Sequence, residues 1–314
     1  MKFFIKKLIT LIITLLLISF LTFTAFSVIP GDAALSRLGK DASEQQVEAL
    51  REEMGLNDSL PVRYVRWIGG AVTGDFGESY RYEGISVSSL LSDRLPGTVL
   101  LSVIALVIIL VCSVPLGIAS ARHAGEWGDV VTNQLTQIIM AIPPFFLGMI
   151  LTYVFGLILH LFQPGKFIQP SENLGEAVKY LFFPALAIAL PKIAMVVKFL
   201  RNSVISEMNK DYVRTAFSKG NTRTGVLYSH ILKNALIPVI TFFALVIAEI
   251  LAGSIIVEQV FSVPGIGRLL ISSISNRDYP VVQAIVLYIT AVVVIINFIV
   301  DVLYQFLDPR VKTS

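Results

Sequence analysis

The sequence predicts an all-α polytopic membrane protein with six transmembrane helices. Three observations carry this. Of 314 residues, 55% are hydrophobic and only 15% charged, against about 25% charged in a soluble domain, and the mean hydropathy is +0.76. So few charged side chains do not cover a water-exposed surface. The apolar residues gather into six runs near the roughly 20 residues that a helix needs to cross a bilayer. Polar segments rich in turn formers separate the runs. The balance of 25 Lys and Arg against 22 Asp and Glu leaves +3, so no nucleic-acid partner is implied.

The first run, 8–29, stands behind Lys2, Lys6 and Lys7. A signal peptide shares that pattern, but its apolar region is about 7–15 residues and a small-x-small cleavage site should follow. The run is longer and no such site is clear, so it reads as the first transmembrane helix, ended by Pro30-Gly31-Asp32. Next comes a mainly acidic polar segment, 31–95. Within it, 43–54 reads as an amphipathic helix with Ser43 as cap and Gly55 as stop. Trp67, Gly69, Gly70, Gly74, Phe76 and Gly77 suggest tight turns near a membrane surface.

The second span, 96–121, is expected to break at Pro115 and Gly117. After a polar turn at 122–129, the third stretch, 130–161, is interrupted by Pro143-Pro144. Adjacent prolines do not both fit an unbroken helix. At membrane depth such a break faces protein or a water-filled cavity. A packing kink and a place on a translocation path both remain open readings. A polar loop at 162–179 leads to a fourth span, 180–200, holding Pro184, Pro191, Lys192 and Lys198. The fifth span, 236–257, holds Glu249, and the sixth, 284–307, holds Asn297 and Asp301. Between them, 258–282 reads as a loop with Pro264-Gly265-Ile266-Gly267 and Asp278-Tyr279-Pro280. The chain thus divides into a first transmembrane helix (1–30), an outer segment (31–95), a five-helix core (96–307) and a tail (308–314).

Lys and Arg in short loops mark the cytoplasmic side. The N-terminal lysines point inward, and so does the fourth connection, where Arg201, Lys210, Arg214, Lys219, Arg223 and Lys233 face only Glu207 and Asp211. Both termini are then cytoplasmic and 31–95 lies outside. The turn at 122–129 adds no support, since Arg122 faces Glu126 and Asp129.

The fourth connection is itself structured. In 211–238, Met208, Tyr212 and Ala216 recur at helical spacing beside Val213 and Phe217, with Lys210, Arg214 and Ser218 opposite. Gly220-Asn221 is a helix stop, and Thr222 or Thr224 can cap the helix that continues into the fifth span. A basic hairpin is therefore mounted directly on two membrane helices.

No enzyme constellation is visible. His123, His160 and His230 are scattered, and Cys112 is alone in an apolar run, so a cysteine metal site and an internal disulfide are excluded. No phosphate-binding Gly-x-x-x-x-Gly-Lys-Ser/Thr loop appears. Charges within spans default to functional candidates: Lys192 and Glu249 lie deepest, and with Pro143 and Pro144 they are the candidate translocation path. An ion-coupled carrier should show an internal repeat, and none is seen.

The hairpin resembles the conserved cytoplasmic loop of the permeases of ATP-binding-cassette importers: Glu-Ala-Ala, three residues, Gly, then a Leu-Pro ending. Here Arg214-Thr215-Ala216, Gly220 and Leu236-Ile237-Pro238 stand at those places. Arg214 in place of Glu, within Tyr212-Val213-Arg214-Thr215-Ala216, is similar to the oligopeptide, dipeptide and nickel branch. Ile29-Pro30-Gly31-Asp32, Gly74-Asp75-Phe76-Gly77, Arg94-Leu95-Pro96, Pro115-Leu116-Gly117, Pro264-Gly265-Ile266-Gly267 and Asp308-Pro309-Arg310 resemble that branch's first permease, so the likeness covers nearly the whole chain. The resemblance implies the type I importer permease fold and inward movement of di- or oligopeptides, or alternatively of nickel or a metal chelate. It implies a second homologous permease, two cytoplasmic ATPase subunits that bind ATP and Mg, and an extracytoplasmic solute-binding protein. No cofactor and no catalysis then belong to this chain. It makes 201–235 the coupling loop, with Asp211, Tyr212, Arg214, Thr215, Ala216, Lys219 and Gly220 meeting an ATPase.

Overall fold

The computed structural model describes residues 2–28, 33–38 and 42–307. The stop at Pro30-Gly31-Asp32 and the tail 308–314, with Asp308-Pro309-Arg310, lie outside the described residues. In order the helices are α1 (Lys2–Val28), α2 (Ala33–Leu38), α3 (Glu44–Glu53), α4 (Leu60–Thr73), α5 (Val87–Arg122), α6 (Trp127–Ala141), α7 (Pro144–Leu151), α8 (Leu174–Met208), α9 (Asp211–Ser218), α10 (Arg223–Val226), α11 (Leu232–Val260), α12 (Ile266–Ser275) and α13 (Tyr279–Leu307). Wider π-helical turns extend α7 over Thr152–Ile158 and join α10 to α11 over Leu227–Ile231. Among the described residues the one extended pairing is an isolated antiparallel bridge, Glu78 to Ser86.

Five segments are long and apolar enough to cross a membrane: α1, α5, α8, the run from α10 through α11, and α13. The helices α6 and α7 with its extension make a sixth span if counted together, yet they bend by 96° where Pro143-Pro144 interrupts them. Pro143 precedes the first turn of α7 and Pro144 opens it, the place where a missing N–H costs nothing. The freed Pro143 carbonyl accepts from Phe146 and Leu147 N–H at 3.1 Å each.

Three expectations change. The second span is not broken at Pro115 and Gly117: α5 is helical throughout. The helix-breaking rule weakens at membrane depth, where packed neighbours and small local adjustments satisfy the freed carbonyl. Trp67, Gly69 and Gly70 lie within α4, and the tight turn begins only at Gly74, whose φ of +84° closes that helix. The expected loop 258–282 contains the helix α12, and α13 already begins at Tyr279. The amphipathic helix at 43–54 is present as α3, with Ser43 and Gln46 capping each other's backbone N–H.

The described chain forms two compact units. The first comprises 1–96 and 264–295. In it α4 packs on α1: Tyr64 meets Phe20 edge-on at 5.2 Å, its hydroxyl pairs with Ser19 Oγ at 2.8 Å, and Trp67 meets Phe23 at 5.4 Å. A cavity of about 820 Å³ is bounded by Phe23, Phe26, Trp67, Arg63, Tyr80 and Tyr279, among others. The stretch after Gly74 is clamped to the turn before α13. Asp278, fully buried, accepts from Ser79 Oγ at 2.5 Å and from Tyr80 N–H at 3.0 Å. Arg81 Nη1 adds a bond to Ser272 Oγ at 2.8 Å.

The second unit comprises 97–263 and 296–314. Its centre is α8. In the most apolar stretch of α8, 67% of residues are buried, against 11% in α1. Lipid tails are as apolar as leucine, so membrane helices associate through close packing rather than through the hydrophobic effect. Ala185, Ala187, Ala189 and Ala194 give α8 the small surface this needs, and burial in protein accommodates Pro184 and Pro191 inside it. Leu101 and Ile109 of α5 and Ile250 of α11 close the same core. A β-carbon on Gly117 of α5 would lie 2.9 Å from Leu200 of α8. Gly117→Val is therefore expected to destabilise by about 1–3 kcal/mol through overpacking, read as a lower melting temperature in detergent. A second change, Leu200→Ala, should recover part of that loss; no recovery would locate the cost elsewhere.

Candidate functional site

The hairpin between α8 and α11 is the most elaborately built polar element of the second unit. Lys210 precedes α9 in an extended conformation, and Asp211 places an acid in the first turn, where the helix dipole favours it. The inner face of α9 buries Val213 and Ala216 against Leu200 and Val204 of α8 and against Val226, Leu227, Ile231 and Leu232 beyond the turn. Gly220 takes φ +83°, the left-handed conformation that ends the helix. Its N–H reaches Phe217 O at 2.9 Å, and Asn221 Nδ2 donates to Ala216 O at 3.0 Å. Of the two candidate caps the structure uses Thr222, whose Oγ1 accepts from Gly225 N–H at 3.2 Å.

Tyr212 is half-buried. Burial pushes its phenol above the usual value, and its hydroxyl donates to Glu207 Oε2 at 2.7 Å. Lys210 pairs with the same Glu207. The outer face carries Asp211, Arg214, Thr215, Phe217, Ser218 and Lys219, all exposed. Arg214 and Asp211 approach only to 3.9 Å and are almost fully solvated, a pair worth little. Phe217 is an apolar ring left 45% exposed at the rim of a small pocket, about 130 Å³, lined also by Val213, Leu227, Arg122 and Arg223. Of the residues singled out from the sequence, Ala216 thus faces the chain's own core. Asp211, Arg214, Thr215, Lys219 and Gly220 form the exposed surface, and Phe217 joins them.

Behind the hairpin stands an ion pair that sequence reading missed. Asp129, in the first turn of α6, is 3% exposed. Arg201 of α8 donates to both its oxygens, Nε to Oδ1 at 2.5 Å and Nη2 to Oδ2 at 2.6 Å. Ser120 Oγ and Gly125 N–H complete the carboxylate's shell at 2.5 and 2.9 Å. This fork ties the α5–α6 turn to α8 just before the hairpin. Arg223 adds a bond to Arg122 O at 3.2 Å. No local signal marks Asp129, since it and Arg201 are 72 residues apart.

Lys192 of α8 and Glu249 of α11 are brought together as an ion pair. Pro143 and Pro144 sit at the α6–α7 bend.

Residues 113–313 match the family described as binding-protein-dependent transport system inner membrane component, and residues 1–103 match its N-terminal companion. The chain belongs to this family. Its helices are those of the type I permease of ATP-binding-cassette importers, a multi-pass membrane component that works with an ATPase and a solute-binding protein. Curated permeases are similar along nearly their whole length. The "probable peptide ABC transporter permease protein y4tP" of Sinorhizobium fredii is 33% identical over 99% of both chains. The "oligopeptide transport system permease protein AppB" of Bacillus subtilis is 37% identical over 95% of both. A "putative peptide permease protein" of Brucella ovis is 34% identical over 96% of this chain and 95% of its own. In the second unit of this permease, then, the polar constructions are the hairpin, its Asp129–Arg201 brace and the Lys192–Glu249 pair, among others.

Proposed function

We propose that this permease subunit moves di- and oligopeptides inward across the cytoplasmic membrane, driven by ATP hydrolysis on separate subunits. Peptide cargo is supported by the names of relatives similar over nearly the whole chain; no observation favours nickel or a metal chelate. The assembly is this chain, a second homologous permease, two cytoplasmic ATPase subunits that hold ATP and Mg, and an extracytoplasmic solute-binding protein. Both termini and the hairpin face the cytoplasm, in keeping with the excess of Lys and Arg around the hairpin. The chain itself catalyses nothing.

One observation carries this reading: a folded hairpin whose inner face is packed into α8 and α11 and whose outer face is exposed. Such an element moves as one piece with two spans. The ATPase seats against Asp211, Arg214, Thr215, Phe217 and Lys219, and its closure tilts α8 and α11 through Val213 and Ala216. On the outer side the solute-binding protein docks on 31–95, where the exposed Val62, Val65 and Val72 of α4 form an apolar stripe.

The test is reconstitution. Purified with its neighbouring subunits, the chain should bring down an ATPase and support ATP-dependent uptake of short peptides into vesicles when the binding protein is present. Uptake by the chain alone, without ATP, would sink the reading. Uptake of nickel and not of peptides would replace the cargo and leave the rest standing.

A further inference from the structure

The face of α11 turned away from the protein core is not built for lipid. At helical spacing it presents Thr241, Leu245, Glu249, Ala252, Ile256 and Gln259. A hydroxyl, a carboxylate, a methyl and a carboxamide stand among two large aliphatic chains. The outward face of α1 carries large aliphatic side chains at Leu8, Ile9, Ile12, Ile13 and Leu16, and the hydroxyl exposed among them, that of Thr10, is spent on the Lys6 carbonyl of its own helix. Glu249 lies near the middle of α11, within a candidate span, and its side chain is 43% exposed. A carboxylate at bilayer depth is costly and faces a water-filled passage or a partner. Its counter-ion, Lys192, lies near the middle of α8, is 17% exposed, and donates to Glu249 Oε2. The pair is therefore asymmetric. The ammonium is tucked against the protein, and the carboxylate leans into the open side.

We propose that Lys192 and Glu249 form a charge-pairing station for a zwitterionic solute, one carrying an ammonium and a carboxylate, as a peptide with free termini does. This rests on the peptide reading above. When such a solute passes, its ammonium pairs with Glu249 and its carboxylate with Lys192. One ion pair is exchanged for two, and neither side chain is left bare. When the solute leaves, the two side chains pair with each other again. The empty passage then holds no uncompensated charge, and both side chains return to the arrangement in the structure. The exposed polar face of α11 above and below Glu249 lines the same passage.

The experiment uses the complete transporter in vesicles, with its ATPases and binding protein, and trialanine with free termini as the probe. In the isosteric neutral pair Lys192→Met with Glu249→Gln, uptake of trialanine should fall about tenfold, the worth of one charge-assisted hydrogen bond. ATPase stimulation by the loaded binding protein should persist, since neither residue touches the hairpin. A second measurement leaves the pair intact. With Cys112→Ser removing the native thiol, Ala252→Cys should react with a charged methanethiosulfonate reagent, and trialanine with ATP should slow that reaction several-fold. Wild-type uptake by the neutral pair would overturn the station. So would labelling at 252 that trialanine leaves unchanged, which would put this face in water away from the solute, and so would no labelling at all, which would make this face of α11 a contact between the two permeases. If the unsubstituted transporter takes up no trialanine at all, the peptide reading fails instead.

Discussion

Arg201→Ala is expected to destabilise the protein by about 3–5 kcal/mol, because it leaves the buried Asp129 carboxylate without its counter-ion. Ser120 and Gly125 still donate to that carboxylate, but two dipoles do not neutralise a charge. Asp129→Ala should cost somewhat less, since the Arg201 side chain is 20% exposed and its guanidinium can turn to water. Replacing both partners by apolar residues of similar volume, Asp129→Leu with Arg201→Met, should recover most of the loss, as it does for buried pairs generally. Melting of the detergent-solubilised protein checks all three. An Arg201→Ala variant within about 1 kcal/mol of wild type would show that the fork is solvated after all.

Gly220→Val is expected to separate ATP hydrolysis from transport. A β-carbon at Gly220 meets nothing within 4 Å, so the substitution fails for conformation and not for space. At φ +83° an L-residue bears about 1–2 kcal/mol of strain, and a β-branched one more. Relaxing that strain unwinds the last turn of α9 or swings it, and the face carrying Arg214, Thr215 and Phe217 no longer moves with α8 and α11. Uptake should drop about tenfold or more while ATPase turnover of the assembled complex stays within about twofold, the strain converting to a factor of roughly 5–30 in the populated state. Gly220→Asn should be milder, because asparagine accepts the left-handed conformation. Equal loss for valine and asparagine would point to the missing glycine's exposure at the ATPase surface instead.

What the sequence showed and what it hid divide along one line. The hairpin, the Ser43 cap and the Pro143-Pro144 bend were legible because their causes lie within a few residues of their effects. A glycine after an apolar stripe, a hydroxyl three residues before a backbone N–H, and two rings without donors act locally. Asp129 with Arg201, and Lys192 with Glu249, were visible only as charges. Their partners are 72 and 57 residues away, and no periodicity spans such distances. The misread positions have a different cause. Pro115 lies within α5, and the rule that a lost hydrogen bond breaks a helix holds in water more strictly than at membrane depth. The cluster of Gly69, Gly70, Gly74 and Gly77 suggests turns, yet Gly70 lies within α4. The carbonyl of Asp75 would lie 2.7 Å from a β-carbon at Gly70, so the close approach, and not a turn, is what calls for glycine there.

The clamp of Ser79 and Tyr80 on Asp278 joins positions 199 and 198 residues apart. A ribosome adds about 5–20 residues per second, so Ser79 emerges roughly 10–40 s before its acceptor exists. Through that interval the stretch between α4 and α5 has only its local bonds, such as Ser79 N–H to Ile85 O and Val87 N–H to Gly77 O. The first unit therefore cannot close in the order in which it is made. Its last step waits on nearly the end of synthesis, and a chain cut short before Asp278 lacks this clamp while α1 and α4 keep the contacts they make with each other.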